Sequence, residues 1–295
     1  MPELPDVIVY CEALTAIVGG RRLSRVRVLS PFVVRSFDPP IDALDGLVLQ
    51  TVSRLGKRIV LGFDDGLRLV VHLMIAGRLR WRAPGQRLGM GPRMVLAALE
   101  FEHGTLYFTE AGSTKRASLH LVRGDEAVRA MDRGGIEPLS APFDAFADAL
   151  RRENHTLKRS LTDPRLFSGI GNAYSDEILH AAKLSPMKLS QSLTDAQIDG
   201  LRRATQETLL AWTARLRDAA GAGFPEKVTA FHGAMAVHGR FGKPCPVCGA
   251  PVQRIVYAEN ECNYCAVCQT EGRLLADRAL SRLLRDDWPR RLEEW

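Results

Sequence analysis

The sequence lacks the features that mark membrane and secreted proteins. None of its apolar runs approaches the roughly 18 residues that a transmembrane helix needs, and its N-terminus has no apolar leader after a basic start. Internal repeats and low-complexity stretches are also absent. These absences argue against a membrane partner and predict a cytoplasmic protein.

Cysteine is nearly absent outside one short segment, because five of the six cysteines lie between positions 245 and 268. The 295 residues exceed the usual size of one domain, so two or three units are expected. The chain carries a net charge of +6 with a pI near 9.1, and its basic residues recur in clusters. A single cluster of this kind is usually a solvated face, but their recurrence favours a polyanionic partner.

The apolar pattern changes along the chain and predicts an α+β fold. A three-four spacing before Gly19-Gly20 predicts an amphipathic helix with a glycine stop. The residues with this spacing are Val7, Cys11, Leu14 and Val18. Short β-rich runs between Leu23 and Leu121 then predict a sandwich or barrel. These runs are LSRVRVLS, GLVLQTVSRL, RIVLGF, LRLVVHLM, MVLAALEF and TLYFT. From Pro142 onward the segments are helical, and Thr194 with Gln197 forms a capping box for the last helix.

Four of the clustered cysteines have the spacing C-x2-C-x16-C-x2-C, which suits a tetrahedral zinc ion. They are Cys245, Cys248, Cys265 and Cys268. The zinc is predicted to be structural, because four protein thiolates leave no open position for a substrate. Cys262 could replace Cys268 by pairing with Cys265, although this would shorten the hairpin. Cys11 is expected to be a buried thiol.

The opening MPELPD raises a chemical possibility. Initiator methionine is usually removed before a small residue, which would leave Pro2 as an N-terminal secondary amine next to the carboxylate of Glu3. Such an amine is partly unprotonated near neutral pH and is a good carbonyl nucleophile, and the carboxyl group could move protons. By itself the tetrapeptide P-E-L-P is more often an ordinary turn.

The stretch LFSGIGNAYSDEIL precedes a predicted helix. Its glycines permit a tight turn, Asn172 can cap, and the exposed N–H groups attract an anion such as a backbone phosphate. An ordinary turn between helices fits equally well.

Together these segments resemble the formamidopyrimidine-DNA glycosylase and endonuclease VIII family of base-excision repair enzymes. The matching motifs run in order over most of the chain. They are P-E-L-P-D at the start, R-L-G-K at Lys57, H-L-M-I-A-G at 72–77, G-I-E-P-L-S at 135–140, S-G-I-G-N-A-Y-S-D-E at 168–177, and V-H-G-R-F-G-K-P-C-P-V-C before the zinc hairpin.

The resemblance implies a domain organisation. It predicts an N-terminal β-sandwich domain at 1–130, a helix-two-turn-helix domain at 131–238 and a zinc-finger hairpin at 239–271. Double-stranded DNA with a damaged base or an abasic site would be the partner, bound by a monomer in a basic cleft between the two halves. Residues 272–295 run past the usual end of the family.

The resemblance also implies residue roles. Pro2 would attack the sugar C1′ and hold the sugar as an imine, while Glu3 would protonate the ring oxygen. Lys57 and Asn172 match positions that bind the DNA backbone, Gly171 belongs to the same turn, and Lys158 lies where a basic residue precedes it. Glu177 matches a carboxylate that orients the turn.

The sequence departs from the family pattern in its N-terminal half. Asp6 stands where glutamate is usual. In the loop that fills the gap left by the flipped base, either Met74 or Ile75 could be the wedge, or both could belong to the core. The loop that probes the opposite base is replaced by T-E-A-G-S-T-K-R-A, in which Lys115 or Arg116 could supply the charge.

The C-terminal half departs as well. Asn260 occupies the place of an arginine that grips phosphates, so the charged clamp is lost, and Arg254 or Arg273 could compensate. The extension predicts an added amphipathic helix that packs on the core or meets a protein partner. Its apolar residues are Leu274, Leu275, Ala279, Leu283 and Leu284.

The leading prediction is therefore a bifunctional DNA glycosylase and abasic-site lyase. The missing clamp arginine and the altered loop leave open a second function, in which the protein binds damaged or structured DNA with little or no catalysis and recruits other repair factors. A zinc-finger transcription regulator is a third and weaker alternative.

Overall fold

In the computed structural model the described residues are 1–112, 114–226, 228–229, 232–257, 260–275, 282–283 and 290–292, without the side chains of 257 and 260. The chain divides into two compact units. The first unit comprises 1–133 and 212–229, and the second comprises 134–211 and 230–295. No helix among the described residues combines the length and the apolar character that crossing a bilayer requires.

The first unit begins with helix α1, Leu4–Val18. Its fully buried side chains include Val7, Tyr10, Leu14 and Val18. The predicted stripe is confirmed except at Cys11, which is only half-buried and whose thiol donates to the Ser53 carbonyl at 3.3 Å. The helix ends at Gly19, and Gly20 has a φ of +71°, a conformation that glycine adopts without strain.

Among the described residues up to 133, eight strands and the short α-helix α2 follow α1. They are β1 Leu23–Val28, β2 Leu49–Leu55, β3 Arg58–Phe63, β4 Leu67–His72, β5 Gly77–Arg82, β6 Val95–Phe101, β7 Gly104–Glu110, β8 Ser118–Arg123 and α2 Gly124–Arg129. The strands form two antiparallel four-stranded sheets, in the orders β1-β6-β7-β5 and β2-β3-β4-β8. Apolar side chains from α1 and both sheets share one core, so the predicted β-sandwich is confirmed.

Residues 212–229 belong to the first unit, although the sequence analysis placed them in the helical domain. The Arg217 guanidinium binds both carboxylate oxygens of Glu12 on α1, at 2.7 and 2.9 Å. The rings of Phe224 and Tyr10 lie 5.6 Å apart. Such contacts join residues about two hundred positions apart, which a local sequence pattern does not reveal.

The second unit contains helices α3 Phe143–Arg151, α4 Leu157–Thr162, α5 Asn172–Ala181 and the first part of α6 Asp195–Ala220. The predicted capping box is confirmed: Gln197 N–H donates to Thr194 Oγ1 at 3.3 Å, and Thr194 N–H donates to Gln197 Oε1 at 3.2 Å. Helix α3 packs its aromatic face inward, with the Phe146 and Phe167 rings 4.8 Å apart.

A hairpin of β9 Val252–Tyr257 and β10 Asn260–Cys265, followed by helix α7 Ala266–Thr270, completes the second unit. In the extension, Leu274 is buried, but it lies in an extended segment rather than in the predicted helix. Arg273 pairs with Arg291 as an antiparallel bridge, and Leu274 N–H donates to the Arg290 carbonyl at 2.9 Å. Of the predicted stripe, Leu283 is 78% exposed, and Ala279 and Leu284 lie outside the described residues.

Candidate active site, nucleic-acid interface and metal centre

The first candidate site lies where α1 begins. Pro2 is buried, and Glu3 is 2% exposed at the N-cap position. The Glu3 N–H donates to Asp6 Oδ2 at 2.8 Å, which ties the backbone of Glu3 to the first turn. A carboxylate at this place is stabilised by the positive end of the helix dipole. The fold therefore holds Glu3 next to the N-terminus.

Several charged groups act on the amine of this N-terminus. Burial lowers the pKa of the Met1 amine, Glu3 raises it, and Arg78 lowers it. The charge of Asp6 also raises the pKa of this amine, whereas the charge of Lys57 lowers it. Lys57 follows Gly56, whose φ of +59° shapes the turn between β2 and β3. An amine in this environment is more often unprotonated at neutral pH, as a nucleophile must be.

Asp6 is the most perturbed carboxyl group of this site. Burial raises its pKa to about 7, the hydrogen bond from the Glu3 N–H opposes the rise, and the charge of Glu3 adds to it. Its Oδ1 atom has no hydrogen-bond partner among the described residues. In the sequence Asp6 stands out only as a shortened glutamate, because burial of this kind depends on the assembled core.

We expect Asp6 to make the protein less stable as pH rises. Its folded pKa lies above the usual value of 3.8, so the folded state retains a proton that the unfolded state loses between about pH 4 and pH 7. Asp6→Asn keeps an acceptor for the Glu3 N–H and cannot ionise. At pH 8 its thermal midpoint should exceed that of the wild type by several degrees, with no gain at pH 4. The control is Asp42→Asn, which changes an exposed aspartate. Equal thermal midpoints of Asp6→Asn and the wild type at pH 8 would contradict the prediction.

The two predicted wedge residues lie in the turn between β4 and β5. Met74 is half-buried with a φ of +52°, which is a strained conformation for a residue with a Cβ. Ile75 is 57% exposed, whereas Leu73 before the turn is buried. Ile75 is therefore the more accessible of the two, and the wedge role of either remains a prediction.

The loop after β7 is organised by a buried carboxylate. Glu110 is 2% exposed and accepts the backbone N–H groups of Arg116 and Ala117 at 3.1–3.3 Å. The Lys115 amine donates to the Glu110 carbonyl, whereas Arg116 is exposed. Of the two predicted cations, Arg116 is the one whose side chain extends toward solvent.

A cluster of basic residues that the sequence analysis did not assign lies on β3, β4 and β8. His72 is half-buried, and burial together with the charges of Arg58 and His120 lowers its pKa to about 4, so its ring is neutral at pH 7. The charge of Lys57 acts in the same direction. His72 belongs to the motif H-L-M-I-A-G, so the signal was present, but only the strand register brings it opposite Arg58.

In the second unit, the predicted anion-binding turn leads directly into α5. The N-cap residue is Gly171 rather than Asn172, so the predicted capping role of Asn172 is wrong. Asn172 is the first residue of the helix, and its Nδ2 donates to the Glu261 carbonyl at 2.9 Å. The adjacent Asn260 lies in β10 opposite Tyr257, but its side chain falls outside the described residues.

Arg254 and Arg273 were predicted to compensate for the arginine that Asn260 replaces. Arg254 lies over the Phe241 ring, 4.3 Å from its centroid, and 3.8 Å from the Glu261 carboxylate. Arg273 is exposed and takes part in the bridge to Arg291. Both therefore carry charge beside the hairpin, and a compensating role for them remains a prediction.

Lys158 does not extend toward solvent. Its Nζ is held at 2.6 Å from Asp176 Oδ1, 2.8 Å from Ser175 Oγ and 2.6 Å from the Asn172 carbonyl. The second oxygen of Asp176 lies 2.8 Å from His238 Nδ1 and accepts the Asn263 N–H. This buried network fixes the start of α5 against the hairpin. Glu177 has a related role, since it accepts three backbone N–H groups of residues 236–238.

Removing Lys158 is expected to destabilise the second unit strongly. Lys158→Met leaves the Asp176 carboxylate buried without its main counter-charge, which typically costs about 3–5 kcal/mol of unfolding free energy. Chemical denaturation would measure this loss, and exposed Arg159→Met on the same helix is the matched control. A Lys158→Met protein of normal stability but weakened DNA binding would instead make Lys158 a DNA contact.

The predicted metal ligands come together in the second unit. The sulfurs of Cys245, Cys248, Cys265 and Cys268 all lie within 4.8 Å of one another. The Cys248–Cys265 and Cys245–Cys268 distances are 3.4 and 4.0 Å, close to the roughly 3.8 Å between thiolates on one tetrahedral ion. Their geometry and chemistry fit a metal ion, and His180 Nε2 lies 3.3 Å from Cys245 Sγ, where it can hydrogen-bond a ligand sulfur.

Cys262 is not part of this cluster. It is 1% exposed and lies opposite Ile255 in the hairpin, and burial raises the pKa of its thiol well above the ordinary value. The ligand set that leaves Cys262 out is therefore the one that the structure assembles.

Comparison with known proteins agrees with this architecture. The family model of the formamidopyrimidine-DNA glycosylase N-terminal domain matches residues 1–117, and that of the formamidopyrimidine-DNA glycosylase H2TH domain matches residues 135–216. A formamidopyrimidine-DNA glycosylase of Thermus thermophilus is 35% identical over 286 residues, which cover 92% of this chain and 100% of the relative.

Solved structures of Lactococcus lactis Fpg are also similar. Its complex with DNA containing an oxidised pyrimidine gives a TM-score of 0.80 at 26% identity, covering 91% of this chain and 100% of that one. Its complex with DNA containing an abasic site gives 0.79 at 25% identity, covering 91% and 99%. The chain therefore belongs to the formamidopyrimidine-DNA glycosylase family of DNA repair enzymes.

Proposed function

We propose that this protein is a bifunctional DNA glycosylase and abasic-site lyase that acts from its N-terminal proline. The observation that carries the proposal is the environment of the N-terminus. Pro2 and Glu3 are buried at the head of α1, and burial lowers the pKa of the Met1 amine, one residue before Pro2. Removal of Met1 would turn the nitrogen of Pro2 into a secondary amine at the start of this helix.

The proposed reaction begins when the Pro2 nitrogen attacks C1′ of the damaged nucleotide. The bond between C1′ and the base breaks, and the base leaves with a proton. Glu3 donates a proton to the ring oxygen, so the sugar opens and its C1′ forms a cationic imine with Pro2. The imine acidifies the C2′ protons, and loss of one expels the 3′ phosphate. A second elimination can expel the 5′ phosphate, and water then releases Pro2.

The DNA partner would be a duplex with a damaged base or an abasic site, bound by a monomer in the cytoplasm. In the first unit, Lys57 and Arg58 supply positive charge for phosphates near the N-terminus. The turn with Met74 and Ile75 would enter the gap left by the flipped base, and the loop with Lys115 and Arg116 would contact the opposite strand.

In the second unit, the turn at Gly171 and Asn172 opens α5, whose N-terminal N–H groups favour a phosphate. Asn260 would add a neutral hydrogen-bond donor from the hairpin. The metal is proposed to be one zinc ion held by Cys245, Cys248, Cys265 and Cys268. Zinc with four thiolates stabilises a small fold and offers no catalytic position.

Borohydride trapping tests the proposal. Protein shown by mass spectrometry to lack Met1 is incubated with an end-labelled duplex that contains one abasic site, and the imine is reduced. A covalent band is the expected result. Normal binding without a band would favour the second function, a damage-binding protein with little or no catalysis, which the neutral Asn260 at the clamp position and the altered loop at 111–117 motivate.

A further inference from the structure

The C-terminal end of α5 lies against the metal centre. His180, in the last turn of α5, is 6% exposed, and its Nε2 lies 3.3 Å from Cys245 Sγ. Cys245 is itself buried, so water has little access to this contact. The sequence analysis gave His180 no role, because it lies 65 positions before Cys245 and outside the cysteine spacing. The fold therefore places an imidazole beside a ligand that the spacing identified by itself.

The chemistry of this contact fixes the direction of its hydrogen bond. A thiolate that binds a metal carries no proton, so the hydrogen must come from the imidazole Nε2 of His180. Four thiolates on one divalent ion leave a net negative charge on the cluster, and an N–H group directed at a ligand sulfur stabilises that charge. Because the contact is buried, the hydrogen bond is stronger than it would be in water.

A second contact from the same end of α5 reaches another ligand. Gln269, a buried residue of α7, donates from Nε2 to the Leu184 carbonyl at 2.9 Å, and its Oε1 accepts the Cys265 N–H at 2.8 Å. Cys265 belongs to the second CxxC turn, residues 265–268, whereas Cys245 belongs to the first, residues 245–248. The end of α5 and the segment after it therefore bind one ligand residue of each turn.

Helix α5 is also fixed at its other end. Asn172 Nδ2 donates to the Glu261 carbonyl at 2.9 Å, and Asp176 Oδ2 accepts the Asn263 N–H at 3.1 Å. About 12 Å of helix separates Asn172 from His180. A helix held at both ends against the hairpin keeps the His180 ring in place beside the sulfur, as a preorganised supporting residue must be.

We propose that His180 is a positioning residue of the metal centre, which donates a hydrogen bond to the Cys245 thiolate, holds the first CxxC turn against α5 and so retains the metal. The inference rests on the zinc ion of the proposed function. His180 is not needed to complete the ligand set, since the four sulfurs already do so. It raises the affinity for the metal instead, and partners of this kind typically contribute about 10–100-fold.

The test measures the zinc affinity of the full chain by competition with a chelator of known affinity. His180→Phe keeps a ring of similar size but no donor, and its zinc dissociation constant should rise about 10–100-fold. His180→Gln keeps an N–H donor near the place of Nε2 and should restore most of the affinity. Lys183→Gln changes an exposed side chain just beyond the same helix and is the matched control, which should keep the wild-type affinity.

A spectroscopic measurement on the wild type detects the hydrogen bond directly. With an NMR-active cadmium isotope in place of zinc, a proton donated by His180 Nε2 to a ligand sulfur shows scalar coupling to the metal. An imidazole that only packs against the cluster shows none. We expect the coupling in the wild-type protein.

The outcomes separate the possible errors. Wild-type zinc affinity in a folded His180→Phe protein would overturn the inference. Equal losses in His180→Phe and His180→Gln would overturn it as well, because the shape of the ring and not its N–H group would then matter. If His180→Phe does not fold, the cadmium coupling decides, and its absence overturns the inference. A wild-type chain that binds no zinc would instead contradict the proposed metal itself, and failure of borohydride trapping would contradict the proposed reaction without changing the His180 result.

Discussion

Replacing Pro2 by glycine is expected to reduce borohydride trapping on abasic DNA at least a hundredfold. A secondary amine forms an imine that stays cationic, whereas the imine of a primary amine can lose its proton and becomes a weaker electron sink. Glycine also loses the ring that fixes the nitrogen at the head of α1. The measurement is the yield of covalent complex, with mass spectrometry to establish that Met1 is absent from each protein. Pro5→Ala, which alters the first turn but not the nucleophile, should still trap.

Glu3→Gln separates base excision from imine formation at an abasic site. Glutamine keeps the size of the side chain but cannot donate a proton to the ring oxygen, so base excision should fall by about 10²–10⁴. An abasic site is already partly open as the aldehyde, so trapping on it should fall much less. Trapping by Pro2→Gly at the wild-type level, or excision by Glu3→Gln at the wild-type rate, would disprove the assigned roles.

Loss of the metal is the second large effect that we expect. Structural zinc contributes about 10–16 kcal/mol of binding free energy in small zinc modules, and here the cluster closes a hairpin with only a small apolar core of its own. Cys265→Ser, or treatment with a strong chelator, should remove the ion and abolish DNA binding. Elemental analysis should find one zinc ion per wild-type chain and much less than one per chain of the Cys265→Ser variant.

Cys262→Ser is the matched control for that experiment. It changes a buried thiol of the same strand that lies outside the cluster, so the variant should keep its zinc and its DNA affinity. A further variant, Cys268→Ser, should lose its zinc. If Cys262→Ser lost zinc and Cys268→Ser kept it, Cys262 would replace Cys268 as the fourth ligand. Retention of full DNA binding by metal-free protein would show that the hairpin is stable without the ion.

Several elements were predictable because their signals are local. The stripe of α1, its glycine stop and the Thr194–Gln197 capping box depend on residues at most a few turns apart. Strands with continuous apolar runs, such as β3 and β6, were also found. Strands β5 and β8 were missed, although arginine or histidine alternates with apolar residues in both, which is the local pattern of a half-buried strand.

The site residues likewise divide into those that the sequence identified and those that only the tertiary structure placed. The cysteine spacing identified four sulfurs that the structure brings within 4.8 Å, because two CxxC turns at the ends of one hairpin must meet. Lys158 was expected at a DNA surface and lies in a buried ion pair, because its neighbour Asp176 comes from a different helix. Asn172 was expected to cap α5, but Gly171 occupies the N-cap position without a side chain, and the side chain of Asn172 binds the Glu261 carbonyl of the hairpin.

The sequence by itself determined the family of this protein, its α+β class, its candidate metal ligands and the proposed nucleophile at its head, since each depends on residue type at fixed spacing. The tertiary structure decided which charges are buried, which carboxyl group has its pKa raised to about 7, and which arginines of β5 bind Glu226. Burial and charge pairing arise between segments that are distant along the chain. Local patterns of side chains therefore specify the chemistry that is available, and the packed fold specifies where that chemistry is placed.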